Sequence, residues 1–151
     1  MHRIYISSDH GGFELKEHLK KYLKGLGNDV LDYGCHSEEA VDYADFAFLV
    51  ADAVSKDKNS YGIVIDGVGI ASAMVANKVP GIRCAVCWDL FSARNSREHN
   101  NANMLSLGGR VLGKGLAEAI VKLWLETPFA GGRHERRVNK IMEVESRFLK
   151  R

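Results

Sequence analysis

The chain has 151 residues, 46% of them hydrophobic and 26% charged, with 15 Gly, 2 Pro and a formal net charge of +2. These proportions exclude a disordered, collagen-like or coiled-coil chain, and no apolar run approaches the roughly 18 residues of a membrane span. The length suits a single domain, 1–151, able to bury a sizeable core. Cys35, Cys84 and Cys87 make no disulfide framework, and no secretory pattern opens the chain, so the expected setting is reduced and cytoplasmic.

Predicted elements alternate along the chain. Residues 3–8 (RIYISS) read as a strand and 13–25 as an amphipathic helix, with Phe13, Leu15, Leu19, Tyr22 and Leu23 on one face and the lysines facing out. DVLDY (29–33) is a second strand, 42–57 a second helix, and GIVI (62–65) a central strand buried on both faces. A glycine turn then opens a small-residue helix that stops before Pro80. Strand 82–87, helix 89–98, strand 104–109, helix 114–125 and a basic helix over 134–150 complete the series. Strict alternation implies a three-layer α/β/α, Rossmann-like fold: a doubly wound five-stranded parallel sheet with a C-terminal basic helix.

The charge is divided unevenly. Residues 133–151 hold seven Lys/Arg and three Glu (+4), leaving 14 positive and 16 negative side chains (−2) elsewhere. A basic tail on a near-neutral body points to a small acidic ligand, and the whole is too weakly basic for bulk nucleic-acid binding.

Ligands of such sheets bind beyond the carboxyl ends of the strands. Four polar clusters fall there: Asp9–Gly12, Asp66–Gly69, Trp88-Asp89 and Gly108–Arg110. Asp9 and His10 are either a carboxylate–imidazole pair at the mouth or a helix cap beside a solvated turn. Gly67 and Gly69 can turn amides inward as an anion nest, although Asp66 as a plain helix cap is the blander reading. His99, at a helix end before the fifth strand, is by itself as easily structural as catalytic. Arg133 and Arg137, four apart at a helix start, suit a phosphate. Cys84 and Cys87 sit at i and i+3 on a strand, on opposite faces, and form neither a redox pair nor a metal site.

Seven ordered segments, SDHGGFELK (8–16), DYADFA (42–47), the strand–glycine turn at 62–71, VANKVPGIR (75–83), SREHNNAN (96–103), LSLGGRVLG (105–113) and GGRHERRV (131–138), resemble the ribose-5-phosphate isomerase type B / galactose-6-phosphate isomerase family. The resemblance covers essentially the whole chain and outweighs the blander readings of single motifs. It implies aldose–ketose isomerisation of a phosphosugar through a cis-enediolate, without metal or cofactor. It makes His99 the ring-opening acid/base, sets Asp9, His10 and Tyr43 against the sugar, and gives the enediolate oxygen to Gly67, Val68, Gly69, Ile70 and Ala71. Asn100, Arg110, Arg133 and Arg137 would bind substrate, the arginines chiefly its phosphate.

A homodimer with sites shared between subunits is also implied, or a dimer of dimers, with no nucleic-acid or membrane partner. The chain departs from the family where the best-known members carry a cysteine base followed by Gly-Thr-Gly-x-Gly: here stand Asp66, Val68 and Ala71. Asp66 is then the expected base, and ribose 5-phosphate/ribulose 5-phosphate the nominal pair. Another pentose or hexose phosphate and a non-catalytic phosphosugar-binding or regulatory protein are the alternatives. A receiver-like phosphoacceptor domain is disfavoured, because Gly-Gly-Arg stands where its lysine should end the fifth strand.

Overall fold

Apolar residues at alternate positions project to opposite faces of a strand, and three strands here share one phase. Ile4 and Ile6, Ile63 and Ile65, and Leu105 and Leu107 belong to one buried cluster, while Tyr5, Val64 and Met104 belong to the other. In the computed structural model, which describes residues 1–149, five strands carry this pattern: β1 (Arg3–Ser8), β2 (Asp29–Asp32), β3 (Ser60–Asp66), β4 (Cys84–Val86) and β5 (Met104–Gly108). They pair in the order β2-β1-β3-β5-β4, all parallel. Register brings Ile6 beside Ile63 and Ile63 beside Leu105, so the isoleucine–leucine face is continuous across the sheet centre.

Helices cover both faces. Leu15, Leu19 and Leu23 of α1 (Phe13–Gly25), Ala93 of α4 (Leu90–Glu98) and Ile120, Val121 and Trp124 of α5 (Lys114–Glu126) complete the first cluster. Ala47, Val50, Ala51 and Val54 of α2 (Tyr43–Lys56) and Ala76 of α3 (Ile70–Ala76) complete the second. The doubly wound fold read from the sequence is therefore the fold observed.

Boundaries moved where side chains compete for the backbone. The strand expected over 82–87 shortens to Cys84–Val86, because the Arg83 amide bonds to Asn103 Oδ1 and that of Ile82 to Val79 O. The last helix, α6, spans Arg133–Ser146, and position 150 of the expected helix, with Lys150 and Arg151, lies outside the described residues.

Each crossover helix returns antiparallel to its strands. Strand ends and the starts of α2, α3 and α4 therefore share one edge of the sheet, the carboxyl edge. Strand starts and the ends of those helices share the opposite, amino edge.

Candidate active site

At the carboxyl edge the backbone laces three strand ends together. The Asp9 amide donates to Ile65 O at 3.1 Å, the Gly109 amide to Asp66 O at 2.8 Å and the Arg110 amide to Gly67 O at 2.9 Å. So close an approach requires glycine: a Cβ on Gly12 would lie 2.2 Å from Ile65 O, and Gly69, at φ +87°, would press one against the Leu107 carbonyl at 3.0 Å. Three of the four polar clusters meet here. The fourth does not join them, because Trp88 is exposed and Asp89 caps α4 through the Ser92 amide at 2.7 Å.

Asp9 is 9% exposed, and its Oδ1 accepts from the Gly12 amide at 3.1 Å. Among the described residues no donor faces its Oδ2. His10 Nδ1 accepts from the Val41 amide at 3.2 Å, so a neutral ring carries its proton on Nε2. That bond also draws the start of α2, with half-exposed Tyr43, toward the mouth.

Asp66 ends β3 and is 4% exposed. Its Oδ1 accepts from the Val68 amide at 3.1 Å and from the Gly69 amide, while its Oδ2 accepts from the Ser72 amide at 2.9 Å and from Ser72 Oγ at 2.6 Å. A carboxylate offers about four lone-pair positions, and four donors take them. The glycine turn does form an anion nest, and the chain's own carboxylate sits in it; the first-turn amides of Ile70 and Ala71 are not among its donors. Sequence reasoning missed Ser72, whose signal was a hydroxyl in the first turn of a helix announced by Asp-Gly-x-Gly.

One expectation fails outright. Lys16 does not face out: its side chain is fully buried, with Nζ 2.7 Å from both Asp32 oxygens and from Cys35 O. A helical face that looked polar turns inward there because Asp32, at the end of β2, supplies the counter-charge. Lys20 also reaches Asp32, at 2.6 Å. Burial opposes ionisation of Asp32, but hydrogen bonds from Lys16, Lys20 and the Gly34 amide outweigh it and hold the carboxyl below its ordinary value.

His99, Asn100, Arg133 and Arg137 lie elsewhere. His99 caps the C-terminus of α4, which places it at the amino edge, and the Ala130 amide bonds to Glu98 O at 3.0 Å, bringing the start of α6 alongside. His99 Nδ1 meets Asn95 Nδ2 at 3.0 Å, and its ring stacks on that of His134, centroids 4.1 Å apart and 11° from parallel. Burial, then His99, Arg133 and Arg137, push the His134 imidazole below the usual histidine value. Asn100, Arg133 and Arg137 are exposed there, as Arg110 is at the other edge. One chain thus holds the expected site residues in two groups at opposite edges of the sheet.

Cys84 and Cys87 are separate free thiols that burial pushes up. Among the described residues no three His, Cys, Asp or Glu side chains are grouped to hold a metal ion, and no helix is long and apolar enough to cross a membrane.

The family model described as Ribose/Galactose Isomerase matches residues 4–141. The chain belongs to the ribose/galactose isomerase family. Similar relatives include ribose-5-phosphate isomerase B of Escherichia coli, 42% identical over 97% of this chain and 99% of that protein. The galactose-6-phosphate isomerase subunit LacA of Clostridium acetobutylicum is 42% identical over 94% and 99%. The structure of Clostridium thermocellum ribose-5-phosphate isomerase B superposes with a TM-score of 0.95 and 51% identity, covering 97% of this chain and 99% of that one. Membership of the ribose/galactose isomerase family makes the chain a sugar-phosphate aldose–ketose isomerase.

Proposed function

We propose that the chain interconverts ribose 5-phosphate and ribulose 5-phosphate, or a close pentose or hexose phosphate pair, through a cis-enediolate, in a site completed by a second copy. The lacing of β1, β3 and β5 carries this reading, because it sets Asp9, His10 and Arg110 around the Asp66 nest. Asp9, His10 and Tyr43 take the sugar hydroxyls. The Ile70 and Ala71 amides, which do not donate to Asp66, take the oxygen that gains charge as the enediolate forms. The second copy brings the opposite edge: His99 moves a proton between the anomeric hydroxyl and the ring oxygen, Asn100 positions the sugar, and Arg133 and Arg137 clamp the phosphate. Exposed Val68, Ile70, Trp88 and Phe91 stand at the carboxyl edge as apolar surface for that copy to cover.

In the first reading Asp66, at the position of the family's cysteine, is the carbon-acid base. A second reading follows from the four donors on that carboxylate: Asp9, through its unengaged Oδ2, carries the proton between C2 and C1, while Asp66 clasps the nest. A panel of aldose phosphates in D2O, following ketose formation and deuterium entry at C1 of the ketose, tests both. With Asp66 as base, Asp66→Asn loses exchange by about 100-fold or more and Asp9→Asn retains it; with Asp9 as base the pattern inverts. Ligand-dependent thermal stabilisation without turnover on any panel member would make the protein a phosphosugar binder.

A further inference from the structure

A cavity of about 600 Å³ opens at the amino edge, under the starts of β1, β3, β4 and β5 and against α6. Four basic side chains line it: His2, Lys58, Arg83 and Arg97. The sole carboxylate in its lining, Asp57, is already engaged by Tyr5 Oη at 3.1 Å and by Arg3 at 3.6 Å. Among the described residues, Lys58, Arg83 and Arg97 have no carboxylate oxygen within 4.0 Å.

The two guanidinium groups differ in what they can still do. Arg97, 5% exposed, spends its donors on Thr127 O, Ala102 O, Asn101 Oδ1 and Tyr61 Oη, and lies over the Tyr61 and Trp124 rings. It is held as a fixed positive charge in the cavity wall. Arg83 gives Nε to Asn101 O and Nη1 to the Met142 sulfur, a weak acceptor, and its Nη2 has no acceptor among the described residues. Burial and then the charge of Arg97 act against the Arg83 cation and outweigh the favourable charge of Glu145, and His2 is likewise pushed below the usual histidine value by burial, the N-terminal ammonium and Arg97. Positive potential that Glu145 only partly offsets is costly beside buried guanidinium groups, and a bound anion lowers that cost.

We propose that this cavity is a second anion site, taking a phosphate group, free or esterified, held by Arg83 Nη2 and Lys58 against the fixed charge of Arg97. It is distinct from the catalytic phosphate clamp: neither Arg133 nor Arg137 lines it, and Met142 at its rim lies roughly 13 Å further along α6 than Arg133. The volume admits a phosphosugar as readily as inorganic phosphate. The inference does not rest on the identity of the isomerised sugar.

Calorimetric titration of an Arg133→Gln/Arg137→Gln variant, which lacks the proposed catalytic clamp, tests it with two probes: inorganic phosphate and ribose 5-phosphate. One saturable phosphate site per chain is expected, with affinity falling at least 10-fold on adding Arg83→Met and the His2 imidazole pKa rising on binding, followed by NMR. Binding of both probes assigns the site to the phosphate group; binding of the ester alone assigns it to a phosphosugar. No saturable binding, or binding with His2 unmoved and affinity unchanged by Arg83→Met, overturns the proposal. Lys58→Met, at an exposed position, decides the matter if Arg83→Met does not fold.

Discussion

The two edges of the sheet use charge in opposite ways. At the carboxyl edge most buried charge has its complement, Asp9 with its open Oδ2 being the exception: Lys16 and Lys20 close on Asp32, and the Asp66 carboxylate fills a nest of amides and a hydroxyl. At the amino edge Arg83, Arg97, Arg133 and Arg137 have no carboxylate within 4.0 Å among the described residues. The paired edge is preorganised, with its geometry held before any ligand arrives. Arg3 at the amino edge is paired with Asp29 and Asp57, but these four arginines await anions from outside, whether the substrate phosphate of a second copy or an occupant of the basal cavity.

The largest effect follows from joining the edges. Chains lacking the carboxylate that the exchange test identifies as the base (Asp66→Asn or Asp9→Asn) and His99→Asn chains should each lose about 100-fold or more of the isomerase activity, since each removes a proton-transfer group. Unfolded together and refolded as a mixture, they should recover about a quarter of wild-type activity, because half of the dimers then carry one site with both native residues. A mixture no more active than its separate components would mean that the two edges do not meet in one site.

The next effect contrasts the packing of the edges. Gly12→Ala forces a Cβ to within 2.2 Å of Ile65 O, so β1 and β3 must part at the mouth. A cost of about 3 kcal/mol is expected, a drop of roughly 6–12 °C in the melting temperature of a chain this size. Gly25→Ala, at the end of α1 with nothing within 4 Å of the added Cβ, should be neutral or stabilise by up to about 1 kcal/mol. Equal losses at both positions would refute the difference in packing.

Much of this was legible in the sequence, for identifiable reasons. Period-2 alternation in RIYISS and MLSLGG and the helical spacing of the α1 leucines survive folding, because both faces of the sheet are covered. The separation of His99 from Asp66 was legible as well. A helix that follows β4 and precedes β5 must end at the amino edge, so a His at its last turn cannot sit beside a residue that ends β3. Lys16 was not legible, since helical spacing assigns a face but says nothing of an Asp at the end of a neighbouring strand. Nor was the Asp66–Ser72 clasp, because whether a carboxylate faces a ligand or the amides of its own turn depends on a side-chain rotamer that no spacing encodes.

The smallest effect lies in the Lys16–Asp32–Lys20 cluster. Asp32 titrates below its ordinary value, so the stability it confers is fully present above about pH 4, the unfolded value, and is lost as pH falls through the lower folded one. Lys20→Met removes one of the two cations and lets the Asp32 carboxyl return toward the ordinary range. Glu17, which burial raises but Lys20 and Lys16 together hold low, shifts in the same sense. At pH 7 the variant should lose about 1 kcal/mol or less, as expected of a partly exposed pair. Between pH 7 and pH 2.5 it should lose less further stability than the wild type, since the stabilisation that acid removes is already reduced. Denaturant unfolding at both pH values measures the two differences. An identical acid loss in variant and wild type would show that Lys16 and the Gly34 amide set the Asp32 carboxyl, and that Lys20 contributes nothing to the paired edge.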